Sequence, residues 1–262
     1  MHKKLIDIKD KLLPLATILI VIIIWQIIAQ SGVVPGYMLP APLAVAQAFM
    51  ADLSVLLGHL KVTLIEALAG LGLSIILGFM LALLMDRYET LKKAFYPLLV
   101  VTQTVPPIAI APLLVLWFGF GLSPKILLIV VVCFFPIAVG FLHGFAAADA
   151  DEMQLLRSMG ANKRQIFRYI KLPSSLPYFF SGLKVSTAYC VVSAVIAEWL
   201  GGTAGLGVYM TRVRKSYDFE SMFAVIILIA ALSIVLMLAV TFLEKRAMPY
   251  KKTSLNYKQE VL

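Results

Sequence analysis

Residues 157–173 read RSMGANKRQIFRYIKLP, a basic, turn-containing stretch between two long apolar runs. Upstream, Asp149 followed three residues later by Glu152 is a helix-start pattern, and Gly160 stands where a left-handed residue ends such a helix. Asn162 with Gln165 repeats the start signal. The second helix then carries Arg164, Arg168 and Lys171 on one face and Ile166, Phe167 and Ile170 on another, with Pro173 limiting its continuation. The spacing predicts a short helical hairpin in water, within a loop of about residues 146–175. Two uses fit it. The basic face can lie on lipid phosphates, or Leu155, Leu156 and Met159 can meet a protein partner.

The rest of the chain fixes where that hairpin sits. With 61% hydrophobic residues, 14% charged ones and a mean hydropathy of +0.94, 262 residues have too little polar surface to dissolve as a globule. This is the composition of an integral membrane protein. A helix crossing the hydrocarbon core takes roughly 20 apolar residues. Runs of that kind lie near 12–30, 61–85, 95–118, 125–145, 176–200 and 221–243, which predicts an all-α polytopic fold of six transmembrane helices. The first follows Lys3, Lys4, Lys9 and Lys11 but exceeds the ~7–15 apolar residues of a cleavable signal, so it is read as a retained helix.

Positive loops stay cytoplasmic. With the N-terminus inside, 17 of the 23 lysines and arginines fall on inner segments, including Arg87, Lys92 and Lys93, the five of the hairpin loop, and Lys245, Arg246, Lys251, Lys252 and Lys258. Both termini and the hairpin are thus expected inside. The net charge of +9 then has the anionic inner leaflet of the membrane as its partner and needs no nucleic acid. Lys61, Lys125, Arg212, Arg214 and Lys215 fall outside, and Lys184 is the only cation within a span. Arg212, Arg214 and Lys215 offer charge that an acidic binding-protein rim can meet, or form an ordinary solvated loop.

Catalytic patterns are absent from the sequence. Cys133 and Cys190 lie inside apolar runs, the three histidines are scattered, and there is neither a phosphate-binding loop, a metal-ligand set nor a nucleophile–base pair. The chain is not expected to be an enzyme, to bind a cofactor or to hold a metal. Active transport by it must draw on an ion gradient or on a separate subunit.

Several intramembrane residues have two readings. Pro106, Pro107 and Pro112 interrupt the third run, where each removes a backbone donor, and a kink shaping a passage is preferred to passive packing. Thr102, Gln103 and Thr104 precede that break and either face water or bond their own helix. Glu198, near the outer end of the fifth run, either lines an aqueous cavity or sits at the interface, and Glu66 is a weaker candidate of the same kind.

Gly160, nine intervening residues, then Ile170, Lys171, Leu172 and Pro173 resemble the EAA loop, E-A-A-x-x-x-G-x(9)-I-x-L-P, of permeases in ATP-binding-cassette (ABC) importers. The E-A-A positions fall on Gln154, Leu155 and Leu156, so larger residues replace the expected small ones, and Ala161 follows the glycine. The resemblance covers nearly the whole chain. MLPAPLAVAQAF at 38–49, VPPIAIAPLLVLWFGFG at 105–121 and VIAEWLGGTAGLGVYM at 195–210 are similar to the branch importing nitrate, sulfonates, taurine and thiamine pyrimidine precursors.

This resemblance implies a type I importer fold and a single permease domain over 1–262, with a five-helix core at about 60–243 and an N-terminal helix at 12–30. It implies a cytoplasmic ABC ATPase in two copies that uses the ATP, a second copy of this chain, and an extracytoplasmic solute-binding protein at a bacterial inner membrane. The ATPase-coupling residues are then Gln154, Leu155, Leu156, Gly160, Ala161, Ile170, Leu172 and Pro173. The passage residues are Thr102, Gln103, Thr104, Pro106, Pro107 and Glu198. The cargo expected first is a pyrimidine precursor of thiamine, with sulfonate, taurine or nitrate as alternatives. A gradient-driven transporter or channel is the rival class, but no inverted repeat is visible in the sequence.

The topology is open to cysteine-accessibility labelling. Probes at Ser158 and Ser254 are expected to react only from the cytoplasmic side, and outside-only labelling of either would overturn the orientation.

Overall fold

The computed structural model describes residues 2–249, with side chains from Leu13 onward apart from Leu15. Lys251, Lys252, Lys258 and Ser254, all assigned above to an inner tail, lie outside the described residues. Every regular element among those residues is helical. In chain order they are α1 (His2–Gln30), α2 (Pro42–Ala51), α3 (Leu53–Arg87), α4 (Glu89–Thr102), α5 (Pro107–Phe118), α6 (Leu122–Ala146), α7 (Ala150–Ser158), α8 (Lys163–Ile166), a π-helical turn (Phe167–Lys171), α9 (Leu172–Gly201), α10 (Leu206–Lys215) and α11 (Phe219–Ala247). Helices are what lipid permits, because each backbone N–H and C=O must find its partner within the segment.

Four helical stretches are long and apolar enough to span a membrane: Leu53–Arg87, Leu122–Ala146, Lys163–Gly201 and Phe219–Ala247. The expected third span is instead two helices, α4 and α5, bent by 102° at Gln103–Pro106, so the count reaches five only if this pair is one crossing. The sequence places Pro106 at the cap and Pro107 at the first position of α5, where a missing N–H is harmless, while Pro112 is inside that helix. The break is therefore larger than a kink. Near 12–30, the apolar described stretch is Ala16–Gln30, short of the roughly 20 residues a crossing takes.

The chain forms two compact units. One runs to His59 and takes in Tyr209–Leu228; the other is Leu60–Val208 with the chain from Ile229 onward. Within the first, Trp25 donates to the Pro40 carbonyl at 3.1 Å and stacks obliquely near Phe223. The Tyr209 hydroxyl donates to Asp52 at 2.5 Å, and Ser221 donates to the same carboxylate oxygen. Burial first, then the Asp52 carboxylate, push this hydroxyl up to about 12, so it keeps its proton and its role as donor.

The second unit is built on α6 and α9. Glycines bring their backbones together: a Cβ on Gly182 would enter the Pro136 carbonyl, one on Gly144 would enter Ser175, and one on Gly140 would lie 2.8 Å from the Tyr178 oxygen. Cys133 and Ser186 exchange side-chain-to-carbonyl bonds across the same contact, which accounts for two of the polar groups buried there. Gly70 and Gly78 admit Ile129 and Ile137 of α6 against α3 in the same manner. Leu99 of α4 packs with Met85, Ala138 and Leu142, and Ala111 and Leu114 of α5 pack with Leu128 and Ala197.

Gly182→Ala is expected to destabilise the protein by about 1–3 kcal/mol, the usual penalty for overpacking. Gly72→Ala, whose Cβ meets nothing within 4 Å, serves as the control. Melting temperatures of the two variants in detergent read the difference.

Candidate functional site

The hairpin loop forms as its caps dictate. Asp149 Oδ1 accepts from the Asp151 and Glu152 amides, starting α7. At the other end Gly160 adopts φ +85°, the Gly160 amide bonds the Arg157 carbonyl, and the Ala161 amide bonds the Leu156 carbonyl. Those two bonds with a left-handed glycine are the Schellman stop. Asn162 and Gln165 then close a reciprocal capping box, at 3.0 Å and 2.7 Å.

The second helix does not stop at Pro173. It passes through the π turn, where the Leu172 amide bonds the Phe167 carbonyl, and continues as α9 to Gly201. A π turn carries one extra residue, and Pro173, which has no N–H to place, falls in the first turn beyond it. The second arm of the hairpin is thus the beginning of a 39-residue span, Lys163–Gly201.

The loop is anchored on one side and open on the other. Ile166 and Ile170 are buried, Phe167 meets Phe145, and Lys171 donates to both oxygens of Asp86 at the end of α3, at 2.7 and 2.8 Å. Gln154 and Gly160 are exposed, as are Leu155 at 63% and Met159 at 74%. Leu156, Ala161, Leu172 and Pro173 are half-buried. A cavity of about 610 Å³ opens beside them, lined by Asp86, Arg87, Met153, Arg157, Lys163 and Phe167 among others. An exposed apolar knob on a capped, anchored turn has the form of a docking element.

Thr102, Gln103, Thr104 and Pro106 are exposed at the α4–α5 break, and Pro107 is half-buried. The two threonine hydroxyls return to carbonyls of the preceding turn, at Leu99 and Val101. Glu198 is placed differently. It is 1% exposed, accepting from the Thr63 hydroxyl at 2.7 Å and the Gly207 amide at 2.6 Å. Thr63 in turn accepts from the Leu206 amide at 2.8 Å. Close by, Lys125 pairs with Glu66 Oε1 at 2.6 Å.

Sequence reading assigned Lys125 to an outer loop and left Lys184 as the only intramembrane cation. The structure corrects both points: Lys125 is buried within α6, and Lys184 is bound to Glu244 of α11 and does not reach out alone. Thr63 belongs to no motif in the sequence. Its signal is the i, i+3 spacing to Glu66, which puts two polar groups on one face of an otherwise apolar helix.

Residues 74–249 match the family model described as the binding-protein-dependent transport system inner membrane component. The chain belongs to that family. It is similar to the formylaminopyrimidine transport permease protein ThiX of Halalkalibacterium halodurans, 38% identical over 91% of this chain and 96% of the relative. The putative aliphatic sulfonates transport permease protein SsuC of Bacillus subtilis is 30% identical over 89% and 86% of the two chains. In fold, it matches a chain of a bacterial ABC transporter involved in alginate import, with a TM-score of 0.63 at 15% identity, covering 93% of this chain and 99% of that one. The protein is an inner-membrane permease subunit of an ABC importer, which sets aside a gradient-driven transporter or channel.

Gly160→Val is expected to break the turn. The space around Gly160 is open, so the penalty comes wholly from φ, at least about 1 kcal/mol for a β-branched residue. Hydrogen exchange at the Ala161 amide should quicken in Gly160→Val and stay slow in Gly160→Asn, which tolerates the left-handed region.

Proposed function

We propose that two copies of this chain form the passage of an ATP-driven importer for a pyrimidine precursor of thiamine. In this reading the whole of 1–262 acts as one permease domain with its core at about 60–243, and both termini face the cytoplasm. Each hairpin loop docks a cytoplasmic ABC ATPase subunit, and an extracytoplasmic solute-binding protein delivers the cargo. The ATPase binds the nucleotide; this chain binds no cofactor of its own.

The observation that carries the coupling is the exposure of Leu155, Met159 and Gly160 on a loop whose other arm is the start of the Lys163–Gly201 helix. A subunit gripping that end holds a lever on the membrane bundle. Gln154, Leu155, Leu156, Gly160 and Ala161 would supply the contact. Ile170, Leu172 and Pro173 would set its attachment, and Thr102, Gln103, Thr104, Pro106 and Pro107 would border the passage at the α4–α5 break.

The cargo reading draws on the formylaminopyrimidine relative and on charge. Lys125 and Lys184 are each neutralised by a carboxylate, Glu66 and Glu244, which removes the charges that would draw a sulfonate or nitrate inward. A neutral or weakly basic ring meets no such need. The sulfonate relative keeps sulfonate and taurine as the second reading.

Uptake by the complex reconstituted with its ATPase and binding protein tests this. ATP-dependent import of an aminopyrimidine, lost in Gly160→Val, is expected. Import of an alkanesulfonate, taurine or nitrate without any pyrimidine would replace the cargo, and full transport by Gly160→Val would remove the loop from the mechanism.

A further inference from the structure

Two sets of polar side chains in the second unit lie far apart along α9. Lys171–Asp86 lies at the hairpin loop, whereas Thr63 and Glu66 of the third and fourth turns of α3, Lys125 of the first turn of α6 and Glu198 of the last turn of α9 meet at the opposite end. From that second set, we infer that Thr63 and Glu198 form a latch. It holds the glycine turn 202–207 closed over the end of the bundle remote from the loop, and its release opens the passage on that side. The inference rests on the reading of the chain as half of an ATP-driven importer.

The geometry is that of a clasp. Glu198 reaches forward to the Gly207 amide with one oxygen and across to Thr63 with the other, while Thr63 takes the Leu206 amide, so two side chains hold two consecutive amides of the turn. The turn is shaped around the carboxylate. Gly205 has φ +124°, and a Cβ there would overlap the Glu198 carboxyl group; a Cβ on Gly207 would lie 3.0 Å from it.

Three features distinguish this clasp from a fixed brace. Its bonds are polar, and an opening that admits water replaces them, whereas the glycine contacts of α6 with α9 have no such substitute. Among the described residues, Glu66 Oε2 is the buried side-chain atom without a hydrogen-bond partner, so the closed arrangement leaves one acceptor unsatisfied that water would satisfy on opening. Finally, Glu198 stands in the last turn of the helical stretch that begins at Lys163 in the loop and runs through the π turn, so loop and clasp belong to one helix.

The test is ATP hydrolysis by the permease–ATPase complex in lipid nanodiscs, per folded complex, with and without the binding protein. Thr63→Val removes the hydroxyl at constant shape, and Glu198→Gln replaces one of the two acceptor oxygens by an NH2 group and removes the charge that strengthens both bonds. Both are expected to raise unstimulated hydrolysis by about fivefold or more, to reduce stimulation by the binding protein, and to lower uptake per ATP. Thr63→Ser should restore wild-type behaviour. A brace would instead lose folded protein and leave the unstimulated rate per complex unchanged. If Thr63→Val does not assemble, Glu198→Gln alone decides. A binding-protein-stimulated wild type with unaltered unstimulated hydrolysis in the assembled variants would overturn the latch. A wild type that the binding protein does not stimulate would overturn the importer reading and the latch with it.

Discussion

The close approach of α6 and α9 underlies everything else in the second unit. In lipid, apolar side chains gain nothing by leaving their surroundings for one another, so helices associate through tight packing and hydrogen bonds. Gly140, Gly144 and Gly182 supply the first and the Cys133–Ser186 exchange the second. Because α6 carries Lys125 in its first turn and leads into α7, while α9 follows the hairpin loop and carries Glu198 in its last turn, this one antiparallel pair joins the hairpin loop to the remote polar cluster. Neither end can be repositioned without the other unless that contact slides.

The ion pairs have a different role. A buried pair is weak support for stability, since desolvating both charges offsets most of the attraction, but a wrong pairing leaves a charge stranded. Lys125–Glu66 joins α6 to α3, Lys171–Asp86 joins the π turn to α3, and Lys184–Glu244 joins α9 to α11. Each links helices far apart in sequence, so together with the glycine contacts they specify which helix ends meet.

Much of this was legible in the sequence, for local reasons. Caps and stops are decided within six residues, so Asp149, Gly160 and the Asn162–Gln165 box could be placed from their spacing alone. Hydropathy located the long spans because lipid imposes a length on them. What failed was whatever depends on neighbours. Pro173 reads as a helix terminator until a π turn removes the conflict, and the Pro106–Pro107 pair reads as a kink although it separates two helices at 102°. Lys125 reads as a loop residue because nothing local announces that Glu66, 59 positions earlier, waits across the bundle. Thr63 is silent for the same reason: its value lies in a carboxylate and an amide more than 130 positions away.

The unbroken run from Lys163 to Gly201 has a mechanical meaning. At 1.5 Å per residue, 39 residues make a rod of roughly 58 Å, longer than the membrane is thick. Pivoted near the loop, such a rod moves its far tip by about 1 Å for each degree of tilt. Hydrogen bonds of 2.6–2.8 Å at Glu198 and Thr63 are broken by displacements of that size, so rotations too small to disturb the packing at the fulcrum suffice to part them. A rod of this length turns a modest angle at its loop end into a decisive distance at its far end.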